Sequence, residues 1–139
     1  MRSSLCRFCA LALLVSVALL VAPSCSSVYV PAREKGSAGY SLTRSIDMSN
    51  YSAEMKHDLK VIHEAATRAF EALDIEVDSA ASDKLSGHVR GKLANDDTVK
   101  VELSAIVPAG TKVQIYVGKM ANKAKCVRIF EAILDELPE

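Results

Sequence analysis

Between Ile75 and Val117 the apolar residues fall on every second position. Ile75 and Val77 alternate with Glu76 and Asp78, and Gly87, Val89, Gly91 and Leu93 with His88, Arg90 and Lys92. Val99, Val101, Leu103 and Ala105 alternate with Lys100, Glu102 and Ser104. Val113, Ile115 and Val117 alternate with Lys112, Gln114 and Tyr116. A period of two belongs to a strand with one dry and one wet face. The interruptions are short and rich in turn residues: Ala80 to Lys84, Asn95-Asp96-Asp97 and Pro108-Ala109-Gly110. Strands joined by so few residues are antiparallel neighbours. The stretch predicts a four-stranded meander with one face to cover.

Two segments can cover it. Met55, Leu59, Ile62, Ala66, Ala69, Phe70 and Leu73 step by three and four, and form one stripe of a helix. Ser52 is its expected N-cap, Glu54 lies in its first turn, and it should end near Asp74. A second stripe of Cys126, Ile129, Phe130, Ile133 and Leu137 predicts a helix from about Lys123 to Leu137, capped by Asn122. Before both, Tyr40 to Asp47 alternates as a half-buried strand, with Tyr40, Leu42 and Ile46 in its apolar phase. The expected fold class is α+β: an antiparallel meander sheet with two helices packed on one face, in the order β-α-β-β-β-β-α. The globular domain spans 40–138.

The chain opens differently. Arg2 and Arg7 precede the apolar run Cys9 to Ala22, and Ala22-Pro23-Ser24 supplies small residues ahead of Cys25. That is the layout of a secretory signal over 1–24. A spanning helix needs about 20 apolar residues, and Arg7 and Pro23 bound a shorter run. Val21-Ala22-Pro23-Ser24-Cys25 resembles the lipobox of bacterial lipoproteins. By that resemblance Cys25 is acylated and becomes the mature amino terminus, with membrane lipid as its partner. Ser26 after the cysteine points, by the same resemblance, to the outer membrane facing the periplasm. An ordinary secreted protein cut near Ser24 and an uncleaved anchor are the alternatives. Ser26 to Gly39 mixes Ser, Gly, Pro and charge, and is expected to be a flexible tether over 25–39 with a reach of about 20 Å.

The lipobox-like cysteine, the linker and the element order together resemble a family of small bacterial lipoproteins catalogued as a domain of unknown function. The residues that carry the resemblance are Leu73-Asp74-Ile75-Glu76-Val77, Leu85-Ser86-Gly87 and Val117-Gly118. The element order alone is also similar to helix-grip domains of outer-membrane assembly lipoproteins such as BamC. A shared topology implies no shared function.

Charge and composition narrow the function classes. The chain carries 17 basic and 17 acidic residues. Arg2 and Arg7 lie in the leader, so the remainder is slightly acidic. A nucleic-acid partner would need a basic excess. Three of the four cysteines lie in or at the leader, which leaves Cys126 as a single internal thiol and no internal disulfide framework. Cys126 falls on a core stripe, where a thiol is packing.

No constellation of residues marks a reaction. His57 and His63 project to different faces of the expected helix, and His63 borders the apolar stripe. No Cys/His spacing matches a zinc site, and no strand–turn–helix motif surrounds Ser86 or Ser104. Gly87 and Gly91 lie mid-strand, where glycines relieve crowding under a helix. No catalytic residue, metal or cofactor is expected. The wet face is the candidate docking surface: His88, Arg90, Lys92, Lys100 and Lys112 project there, with Glu76, Asp78 and Glu102 interspersed. The expected function is a non-catalytic, lipid-anchored envelope protein acting as a periplasmic binding or scaffold module with a protein partner. The alternative is a secreted, soluble small-ligand-binding domain, which would need a pocket between sheet and helices.

Overall fold

The structure is a computed structural model that describes residues 27–31, 39–47 and 49–138. The signal segment and Cys25 lie outside the described residues. The elements follow in the order β1 (Ser27–Val30), β2 (Tyr40–Arg44), β3 (Tyr51–Met55), α1 (Leu59–Ala72), β4 (Glu76–Ser82), β5 (Ser86–Lys92), β6 (Thr98–Ala105), β7 (Thr111–Val117) and α2 (Lys123–Asp135). The strands form one antiparallel sheet in the order β1-β2-β3-β7-β6-β5-β4. The fold is α+β. The expected meander runs from β4 to β7, and its last strand closes against β3. Among the described residues no helix is long and apolar enough to cross a membrane.

Both helices bury their stripes on one face of the sheet. α1 lies against β4, β5 and β6, and α2 against β7 and α1. Ile62, Ala65, Ala66, Ala69 and Phe70 of α1 meet Cys126, Ile129, Phe130 and Ile133 of α2 over Val89, Val101, Ile115 and their neighbours in a single core. Tyr40 packs edge-on to Phe130. Phe70 and Phe130 are fully buried. Truncating either to alanine would cost about 3–5 kcal/mol.

The structure departs from the sequence expectations in four places. Ser27–Val30 is a strand, paired with β2 from Ser27 opposite Thr43 to Val30 opposite Tyr40. Within the expected tether, residues 27–30 are therefore strand and Val30 reaches the core, while residues 32–38 lie outside the described residues. Ser52 to Met55 belongs to β3, not to the first helix. Tyr51, Ala53 and Met55 are buried on a period of two, and the helix begins only after Asp58. β4 runs on to Ser82 through a bulge between Val77 and Ser79, so Ala80 to Ser82 is strand rather than turn. Ile46, expected in the apolar phase of β2, is fully exposed in the turn beyond it.

The join from α1 to β4 is closed by a Schellman motif. The Ile75 amide donates to the Phe70 carbonyl at 2.9 Å and the Asp74 amide to that of Glu71 at 3.1 Å, with Asp74 at φ 54°. α2 starts as expected, with the Asn122 side chain accepting from the Lys125 amide at 3.1 Å.

Candidate docking face

The sheet face opposite the helices carries the even-numbered residues of β5, β6 and β7, because each strand keeps strict alternation against the core. Cross-strand register then decides which of them are neighbours. Arg90 stands opposite Lys100, His88 opposite Glu102, Lys100 opposite Tyr116 and Glu102 opposite Gln114. A shallow groove of about 540 Å³ runs here, lined by His88, Arg90, Lys100 and Glu102 together with Ser79, Ser86 and Ser104.

The groove therefore gathers three of the five residues expected on the docking face, His88, Arg90 and Lys100. Lys92 lies one step toward the sheet end, between Glu76 and Thr98. Lys112 lies on the other side, between Ser104 and Glu54. Asp78 falls in the β4 bulge, and Ser79 takes the place opposite Arg90. The bulge shifts the phase of β4, which is why the alternation gave no sign of Ser79.

Local hydrogen bonds shape the groove. The Lys100 ammonium pairs with Glu102 at 2.9 Å and lies 4.5 Å from the Tyr116 ring centre. The Lys100 hydrogen bond, aided by the Tyr116 hydroxyl, holds the Glu102 carboxyl below its ordinary range against a desolvation that raises it. Burial, then the bond to Glu102, pushes the Tyr116 hydroxyl up. Among the described residues Arg90 makes no ion pair. At one rim, Asp83 accepts from the Leu85 and Ser86 amides at 2.7 and 2.8 Å and from the Ser86 hydroxyl at 3.2 Å. These bonds, that to Leu85 first, lower its pKa and fix the β4–β5 turn.

The remaining singled-out residues have structural partners. His63 Nε2 lies 3.3 Å from the His88 carbonyl, which an Nε2–H tautomer satisfies. His57 precedes α1, and its carbonyl accepts from the Thr111 hydroxyl at 2.9 Å. Cys126 is fully buried with Sγ 3.8 Å from the Ile115 carbonyl, and burial pushes its thiol up to about 11. Gly91 sits where a Cβ would come within 2.5 Å of the Glu76 carbonyl oxygen. The crowding it relieves comes from the chain entering β4. Between sheet and helices, Met55, Phe70, Val101 and Ile115 are at most 2% exposed. Among the described residues no cluster of three His, Cys, Asp or Glu could hold a metal ion.

Among curated proteins nothing matches the chain. A family described as Protein of unknown function (DUF3568) matches residues 9–136, which takes in every strand and helix described above, and the chain belongs to that family.

Proposed function

We propose that the protein is a non-catalytic, lipid-anchored envelope module that docks an acidic partner on the open face of its sheet. The observation that carries the docking is the facing pair Arg90 and Lys100 beside the groove. Like charges opposite one another on neighbouring strands destabilise a sheet. A partner's carboxylate or phosphate set between them would turn that cost into a charge-assisted contact. Ser79 and Ser104 supply hydroxyls around the same groove. The filled core at Met55, Phe70, Val101 and Ile115, and a cleft of only about 120 Å³ between Ile129 and Leu93, support this reading over a small-ligand site between sheet and helices.

The anchor rests on Cys25 and the apolar leader before it. Acyl chains contribute about 0.8 kcal/mol per buried CH₂, and more than one chain holds a protein stably. The protein would face the periplasm from the outer membrane.

Fractionation and crosslinking test the two parts separately. Cys25→Ala should move the protein from the membrane fraction to the soluble periplasmic fraction, and retention at the membrane would sink the anchor. A photo-crosslinking residue at Ser104 should capture an envelope protein. Arg90→Glu should remove that crosslink without releasing the protein from the membrane. An unchanged crosslink would rule out docking at the groove.

A further inference from the structure

Four separate pieces of chain meet at one end of the sheet. Ser27 opens β1 opposite Thr43, and the turn that holds Ile46 follows β2 there. β3 enters at the same end with Tyr51 opposite Ile115, so β7 leaves through Val117 into the loop that holds Met120. The Gly118 amide donates to the Thr98 carbonyl at 2.9 Å, which sets the β5–β6 turn alongside. Ile46 is fully exposed and Met120 is 67% exposed. Leu85, also exposed, belongs to the β4–β5 turn at the opposite end.

Cys25 stands two residues before Ser27. Two residues of chain reach at most about 7 Å, where the expected tether would have reached about 20 Å. A domain joined to its lipid over so short a link is held against the bilayer by the end that carries Ser27. We propose that this end is a membrane-docking surface, with Ile46 and Met120 entering the headgroup layer of the leaflet that holds the acyl chains. The inference rests on the acylation of Cys25 proposed above. Exposed charges at this end of the sheet are of both signs, Lys92, Lys119 and Lys123 against Asp47, Asp74 and Asp96. The contact is therefore apolar and does not depend on anionic lipid.

The chain has no tryptophan, so a single introduced one is a unique reporter. The mature protein is purified from membranes as Ile46→Trp, Met120→Trp or Leu85→Trp. Each is reconstituted in vesicles of phosphatidylethanolamine, with and without phosphatidylglycerol, that contain lipids brominated near the headgroup. The mass of the amino-terminal peptide and flotation with the vesicles report the anchor independently. The expected result is an acylated terminus, flotation, and quenched, blue-shifted emission at positions 46 and 120 but not at 85, with or without phosphatidylglycerol. An acylated, floating protein with emission at 46 and 120 no different from that at 85 overturns the docking surface and leaves the anchor standing. Quenching only with phosphatidylglycerol overturns the apolar contact. An unmodified terminus without flotation overturns the anchor and the docking surface together.

Discussion

Arg90 of β5 and Lys100 of β6 face one another directly across the open side of the sheet. Lys100 is drawn away toward Glu102 and the Tyr116 ring, while Arg90 keeps its charge over the groove. Arg90→Thr removes the repulsion and suits a strand. It should raise stability in urea unfolding by about 0.2–1 kcal/mol while abolishing the Ser104 crosslink. A loss of stability would mean that Arg90 is held by an attraction.

The same cluster has a pH signature. The Lys100 hydrogen bond keeps the folded pKa of Glu102 below its ordinary 4.5. Such a carboxylate stabilises the fold above its unfolded pKa, and the contribution drains as pH falls through the folded value. Lys100 and Glu102 are each 38% exposed, so screening keeps the effect under about 1 kcal/mol. The stability difference between wild type and Glu102→Gln should be constant from neutrality to about pH 5 and shrink at more acid pH. A difference that grows in acid would contradict the assignment.

The two helix starts give a matched comparison. Asn122 caps α2 with its side chain, whereas Asp58 precedes α1 without a side-chain cap bond. Asn122→Ala should cost about 1 kcal/mol, and Asp58→Ala should stay within about 0.5 kcal/mol. Chemical denaturation of both variants checks the contrast.

Gly91 lies under the chain that leaves α1. An added Cβ would meet the Glu76 carbonyl oxygen at 2.5 Å and Ile75 Cγ2 at 2.9 Å. Gly91→Ala should destabilise by about 1–3 kcal/mol, as overpacked sites do. A neutral effect in thermal unfolding would show that the start of β4 yields easily.

Cys126 combines full burial with a thiol pushed up to about 11. It should resist alkylation in the folded protein at neutral pH and react at the rate of unfolding. Mass spectrometry of the peptide that contains Cys126 separates it from the other cysteines. Fast labelling of the native protein would place the thiol within reach of solvent.

The elements legible in the sequence are those whose pattern has one solution. β5, β6 and β7 alternate without a break, and α2 has both a stripe and a cap in Asn122. β3 was hidden because Met55 lies four residues before Leu59 and two after Ala53, so it fits a helix stripe and a strand equally. β1 was hidden because four residues are too few to show a period, and its pairing with β2 crosses a turn-rich segment. The length of β4 was hidden because its seven residues are all exposed and bulged, which leaves no apolar alternation to follow. At the groove, strand parity put His88, Arg90 and Lys100 on one face. Their grouping apart from Lys92 and Lys112 is a matter of register, which the positions of the residues along each strand do not carry.

β1 is an outermost strand, and the chain enters it at a corner of the sheet. With neighbouring strands about 4.8 Å apart, the β5–β6 groove lies on the order of 20 Å to the side of that corner. Were the protein held by an acylated Cys25, as proposed above, a pull on the groove would act through a lever arm about the point of entry and would turn the sheet before lifting it.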